Sequence, residues 1–380
     1  MSRAMRDRPS PSGDGVSGPG DRPPAAAAHL LRTAAFGTLS TVLASLLCLV
    51  AADFAYRSGR FDFYRAETRA QNPGLAAMAE RKTPLVVVLG DSFAAGLDNW
   101  PMLLRPGSDL ALPGADVAVL AIAGTGPREY AQRLRTWGSA LAPKVVIVGL
   151  YVGNDLWNVF DPYREQQVFR RVYYGLANHL SLLWYLNYRA ARLFAPPNPA
   201  AEGGAPAAAD AAAGGGRDER LADVPAHVAR YARDYPTLYR DSVLVDRPFS
   251  SRQLAGVIRA LEDIALRARD WGGTTLILLF PASAQVDARY YPELYDHYGF
   301  DTADRRLLTA RTVQDRLLAA ASSRGIAAVD LLPAFKRQQE TIYFLNDDHL
   351  NGRGKRLVAS IVRPAIAALL SGRALSGSGA

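Results

Sequence analysis

A single cysteine, Cys48, stands among 380 residues. No intramolecular disulfide can form, and cysteine usage leaves the redox compartment open. Zinc-ligand spacing is missing too, and no cluster of His, Asp or Glu outside the residues considered below has metal spacing, so neither metal nor cofactor is expected. Blocks of like charge are absent: 44 Lys and Arg against 36 Asp and Glu give a net charge of +8, yet the basic residues are spread along the chain. That pattern reads as a solvated basic surface suited to anionic lipid or polysaccharide. Without an RNA-binding signature, no nucleic-acid partner is expected. No internal repeats are evident.

One stretch lacks charge altogether. Residues 33–52, TAAFGTLSTVLASLLCLVAA, are close to the roughly 20 residues a helix needs to cross a bilayer. A transmembrane helix over 31–55 is the expectation. The preceding residues, 1–30, are rich in Pro, Gly, Ser, Ala and Arg and read as a disordered tail. A cleaved signal peptide ending near the small residues at 50–52 competes with this, but so long a polar leader is unusual for one. A lipid anchor on Cys48 is disfavoured by bulky Leu47 before it, and a buried globular helix is the third option, since Ser, Thr and Gly dilute the run. Arg22 and Arg32 precede the span while Arg57, Arg60, Arg65 and Arg69 lie after it, which does not favour export of the C-terminal part. Large domains translocate regardless of such charges, and the expectation is a single-pass protein whose larger part is periplasmic or extracellular.

Beyond a charged connector, 56–83, read as a juxtamembrane stalk, the chain alternates. Apolar, β-branched runs at 85–90, 117–124, 144–153, 275–281 and 326–331 are separated mostly by helical patterns. Continuous apolar runs of this length fit a parallel sheet covered on both faces, so the fold class is α/β: a three-layer α/β/α, doubly wound parallel sheet. Helices are expected after Gly126, from Ser250 to the glycines at 272–273, and after Asn351, the last kinked or divided at Pro364. This domain spans 84–372, followed by a disordered end at 373–380. A helical insertion, 156–249, interrupts it with an aromatic stretch at 169–194 and a flexible Ala/Gly/Pro linker at 195–216. The aromatic stretch reads as helices packed on the domain, or as a lid or membrane-surface element.

Ligands of open α/β sheets bind beyond the carboxyl ends of the strands. Four such ends carry polar residues: Gly90-Asp91-Ser92, Gly124-Thr125-Gly126, Gly153-Asn154-Asp155, and Asp347-Asp348-His349. Singly each passes for a turn or a helix cap; Ser92 or Asp91 would cap a helix from Phe93. Together they compose a reaction site. A serine hydroxyl needs a base, imidazole is suited to that task near neutrality, and a carboxylate at Asp347 would fix the ring of His349. The backbone N–H groups of Ser92 and Gly124 and the Asn154 amide would receive an oxyanion. His297 beside Asp296 is a weaker second pair, and His29, His179 and His227 read as incidental.

This ordered set resembles the SGNH hydrolase superfamily, also called GDSL esterases and lipases, over residues 85–354 apart from the insertion. The resemblance implies a flavodoxin-like fold with Ser92 as nucleophile, Gly124 and Asn154 completing the oxyanion hole, His349 as base and Asp347 orienting it. The family usually places the aspartate three residues before the histidine, whereas position 346 is Asn. The run NDDHLN is similar instead to the Asp-x-His-x-Asn variant of membrane-associated and periplasmic members, including those that O-acetylate polysaccharides such as alginate. Asp348 stays as the alternative acid. The expected activity is ester hydrolysis on O-acyl groups, of a carbohydrate by that resemblance, with O-acyl transfer to a sugar hydroxyl as alternative. Lipid esters stay open, and a catalytically silent envelope module is the reading from another class.

Overall fold

The apolar runs form one five-stranded sheet in the computed structural model, which describes residues 25–161, 173, 175–193, 232–290, 299, 301, 304–345 and 347–373. Its strands are β1 (Leu85–Leu89), β2 (Asp116–Val119), β3 (Val145–Tyr151), β4 (Thr274–Phe280) and β5 (Ala327–Asp330), in the order β2-β1-β3-β4-β5 and parallel throughout. Every residue of β1 and β3 is buried, as strands covered on both faces require. β2 ends earlier than its apolar run, but the chain stays beside β1: Leu120 N donates to Val88 O and Ile122 N to Gly90 O.

Helices α4 (Pro127–Leu141), α8 (Ser250–Asp270) and α9 (Thr312–Ser322) make the crossovers from β2 to β5. Right-handed connections put all three on one face. The β1–β2 connection runs the other way across the sheet, and its turn, Trp100–Leu104, packs on the opposite face with the C-terminal helix α11 (Gly352–Leu370), which follows the short α10 (Leu332–Lys336). The strand order changes direction at β1, which places the first strand's exit at the switch point where this architecture binds ligands. α11 runs through Pro364 undivided. Buried Val358, Ala359, Val362 and Ile366 lie on both sides of the proline, and that packing offsets its cost of about 3 kcal/mol.

The chain divides into two units, Met1–Ala51 and Ala52–Ala380, the division falling within α1 (Ala25–Arg57). In α1, Arg32–Arg57 is long and apolar enough to cross a membrane, and its Phe36, Leu43 and Leu47 are exposed. Tail residues 1–24, the linker at 195–216 and residues 374–380 lie outside the described residues.

Residues 56–83 are not the free stalk expected. Helices α2 (Arg65–Gln71) and α3 (Leu75–Glu80) belong to the larger unit, and Asn72 occupies the open edge of β2: its Oδ1 accepts from Val119 N at 2.8 Å and its Nδ2 donates to Val119 O at 2.6 Å. Gln71 Nε2 donates to Ala121 O at 2.8 Å. Side-chain amides thus satisfy an edge that would otherwise invite strand pairing. The insertion contributes α6 (Ser181–Leu193) and α7 (Leu238–Leu244), after the short α5 (Asp155–Val159). Asp53 accepts from Leu182 N at the start of α6, and Arg189 pairs with Glu67 at 2.8 Å. Tyr56, Tyr64 and Ile122 form a small second core with Phe63, Tyr185 and Tyr188, so α6 is packed on the domain.

Candidate active site

The turn after β1 sets the first component. Asp91 Oδ1 accepts from Phe93 N at 2.9 Å, and its carbonyl accepts from Ala94 and Ala95. The helix expected from Phe93 is absent: residues 92–94 form a turn, and Asp91, not Ser92, holds it. Ser92 is released from that work, and its Oγ lies 2.6 Å from His349 Nε2.

The histidine is delivered by a short hairpin. Tyr343 and Leu350 form an antiparallel bridge, Phe344 N donates to His349 O, and Asn351 N donates to Ile342 O. The hairpin is pinned to the end of β4 by Tyr343 Oη, which donates to Pro281 O at 2.6 Å. Asn351 then caps α11, its Oδ1 accepting from Gly354 N at 3.0 Å while its Nδ2 donates to Thr341 O at 2.9 Å.

Two carboxylates face the far side of the ring. His349 Nδ1 is 2.6 Å from Asp347 Oδ1 and 3.3 Å from Asp348 Oδ1, so the shorter contact falls to the preferred aspartate. Asp348 is engaged elsewhere: its Oδ2 accepts from Tyr239 Oη at 2.8 Å and Tyr151 Oη at 3.3 Å. Burial pushes the imidazolium down, but the charges of Asp347, Asp348 and Asp91 outweigh it and raise His349 to about 9. Burial drives the Asp91 carboxyl up to about 6, against the opposing pull of the Phe93 amide, the Asn154 side chain and His349. The Phe93 ring stacks on Tyr151 at 3.9 Å and lies 5.4 Å from the imidazole, walling off one side.

Gly124 and Asn154 come after β2 and β3, the two strands that flank β1. Gly124 holds φ +77°, a left-handed conformation that glycine adopts without penalty. A Cβ there would find its nearest neighbour, Tyr188 Cε2, at 3.9 Å, so the backbone angle and not space selects glycine. Asn154 precedes α5, and its side chain lies by the Asp91 carboxylate. The loop is braced by buried Asp155, which accepts from Tyr130 Oη at 2.7 Å and Tyr151 N at 2.8 Å.

Among the described residues, Asp347, Asp348 and His349 form the one group of donors close enough to hold a cation, within 4.8 Å of one another. Its atoms are already committed: Nδ1 to Asp347 and Asp348 Oδ2 to two tyrosines. Tyr151 and Tyr239 were missed by sequence reasoning. Tyr151 carried a weak signal, an aromatic at the end of an apolar run, whereas Tyr239 lies in the insertion with none. His297 and Asp296, and His227, lie outside the described residues. His179 gives its carbonyl to Arg57 at 2.8 Å and its N–H to Leu176 O at 2.9 Å, and His29 sits exposed on α1.

No family model matches the sequence, and no curated protein is significantly similar to it. Several solved structures are similar. TesA, at 14% identity and a TM-score of 0.36, is matched over 75% of this chain and 99% of its own. A lipase/acylhydrolase from Enterococcus faecalis, at 11% identity and a TM-score of 0.38, is matched over 75% of this chain and 95% of its own. A catalytic mutant of an acetylxylan esterase from Geobacillus stearothermophilus, at 11% and 0.37, is matched over 74% and 93%. At these scores the likeness carries no chemistry across, and the functional reading rests on this chain's own geometry.

Proposed function

We propose that this chain is a serine ester hydrolase that works through an acyl-Ser92 intermediate. The observation carrying the reading is the unbroken contact from Ser92 Oγ through both nitrogens of His349 to Asp347, 2.6 Å at each step. His349 Nε2 takes the hydroxyl proton as Oγ attacks the ester carbonyl, and Asp347 stabilises the imidazolium that forms. His349 then hands the proton to the departing alcohol. Water enters, gives a proton to Nε2 and attacks the acyl carbon; the bond to Ser92 Oγ breaks, Nε2 returns the proton to Oγ, and the acid is freed. The carbonyl oxygen that gains charge is met by the Ser92 and Gly124 N–H groups and by Asn154.

A fluorophosphonate probe tests this directly. Covalent labelling of the wild type that vanishes in Ser92→Ala is the expected result; a folded protein that takes no label is the silent module instead.

The same intermediate serves transfer to a sugar hydroxyl, and the carbohydrate reading is carried by the motif resemblance together with the spread basic charge. We place the folded unit outside the cytoplasm, anchored by α1. Purified protein given an acyl donor and an oligosaccharide, read by mass spectrometry, separates the outcomes: free acid alone is hydrolysis, acylated sugar is transfer.

A further inference from the structure

The insertion touches the site twice, through one face of α7. Tyr239 and Ser242 stand three residues apart, so their side chains leave the helix on the same side, and both are buried. Tyr239 Oη donates to Asp348 Oδ2 at 2.8 Å. Ser242 Oγ donates to Gly153 O at 3.1 Å and accepts from Trp157 Nε1 at 2.6 Å. One turn of helix thus joins the segment that carries His349 to the loop that carries Asn154. The helix itself is fixed by buried Asp241, which pairs with Arg240 at 2.7 Å and Arg247 at 2.8 Å.

The contact with Asp348 matters because His349 faces two consecutive carboxylates. Nδ1 carries a single hydrogen, and only one acceptor can take it in line. Asp347 lies at 2.6 Å, whereas Asp348 Oδ1 stays at 3.3 Å. The other oxygen of Asp348 receives two hydroxyls, from Tyr239 on α7 and Tyr151 on β3, and donors to an ionised acceptor hold it firmly. Burial and the charge of Asp348 raise both phenols well above their ordinary value, so they remain donors through the working pH range. Two further ionisable groups feel Asp348, Tyr343 on the hairpin and Asp91 after β1. The Tyr343 hydroxyl goes to Pro281 O, and Asp91 Oδ1 accepts from Phe93 N.

We propose that Tyr239 is a positioning residue for the base: with Tyr151 it holds Asp348 back from Nδ1, so that Asp347 alone orients the imidazole toward Ser92. The proposal rests on the acyl-Ser92 reading and gives the insertion a task in it. Without the Tyr239 hydroxyl, Asp348 turns toward the ring and competes for its hydrogen. The imidazole tilts, and misplacing a reacting group by about 1 Å costs up to about 10²-fold. A second carboxylate closing on Nδ1 also stabilises the imidazolium, so the base titrates higher.

The full chain in detergent is assayed on p-nitrophenyl acetate across the pH range that brackets the His349 midpoint. Tyr239→Phe is expected to lower kcat about tenfold with little change in KM, and to move the midpoint of kcat/KM up by about half a pH unit. In an Asp348→Asn background the same substitution is expected to leave the midpoint in place, since the competing charge is gone. Ser242→Ala controls for loosening of α7 and is expected to lower kcat without moving the midpoint. A midpoint that stays put in Tyr239→Phe, or that moves equally in the Asp348→Asn background or in Ser242→Ala, overturns the proposal. Should Tyr239→Phe fail to fold, Tyr151→Phe removes the other hydroxyl on the same oxygen and carries the same expectation. Labelling of Ser92 with diisopropyl fluorophosphate keeps the two levels apart. No labelling of the wild type removes the serine mechanism and this role with it, while labelling combined with an unmoved midpoint in Tyr239→Phe removes the role alone.

Discussion

At the scale of single residues, the charge around His349 dictates the pH behaviour. A base must be neutral to accept a proton, and with its folded pKa raised to about 9, only about one His349 in a hundred is neutral at pH 7. The kcat/KM of a soluble acetate ester should therefore climb about tenfold per pH unit from 7 to 8 and level off above 9; a plateau already reached at pH 7 would contradict it. Stability runs the other way. A histidine whose folded pKa lies above its unfolded value contributes stability fully present below about 6.5 and lost as pH rises through about 9. Melting temperature should fall across that window more in the wild type than in His349→Gln. The two aspartates should separate cleanly in steady-state kinetics. Asp347→Asn should cost on the order of 10³- to 10⁴-fold in kcat, as loss of the orienting carboxylate does elsewhere. Asp348→Asn should cost far less and move the pH midpoint down, because one of the charges holding the imidazolium is gone. For the oxyanion donors, Asn154→Ala should lower kcat by about 10²-fold or more, and an unchanged rate would take Asn154 out of the site.

At the scale of elements, the hairpin at 342–351 and the cap of α11 act as one bracket for the base. A Cβ on Gly354 would come 2.1 Å from Ile342 O, closer than any packing tolerates, so Gly354→Ala must push the hairpin off the helix. Asn351→Ala removes the cap and two bonds to the hairpin's carbonyls, and should cost about 1 to 2 kcal/mol by chemical denaturation along with a fall in kcat from the displaced imidazole. The sequence made much of this visible for identifiable reasons. Strands buried on both faces leave continuous apolar runs, which is why β1 and β3 were legible, and half-buried β5 still reads as an apolar run. Polar clusters beyond strand ends are short and local, which is why Ser92, His349 and Asp347, which the structure brings into contact, could be singled out. The hidden parts have no local pattern. Gln71 and Asn72 replace a missing strand with side-chain amides, so the segment reads as a loose connector. Tyr239 reaches Asp348 across 109 positions, a contact that no window of sequence records.

At the scale of the whole molecule, most of the apolar helix and the residues of the candidate site fall in different units of one chain. The full chain is expected to sediment with membranes and resist alkaline extraction, while a version lacking residues 1–51 is expected in the soluble fraction; equal partitioning of the two would remove the anchor. Strand order places Ser92 one strand in from the β2 edge, and its partner His349 arrives 257 positions later, on the last hairpin before the final helix. Synthesis proceeds from the amino end, so a half-made chain presents the serine with nothing to draw off its proton. Under the proposed mechanism the chain is inert until its closing segment docks and brings His349 to Ser92.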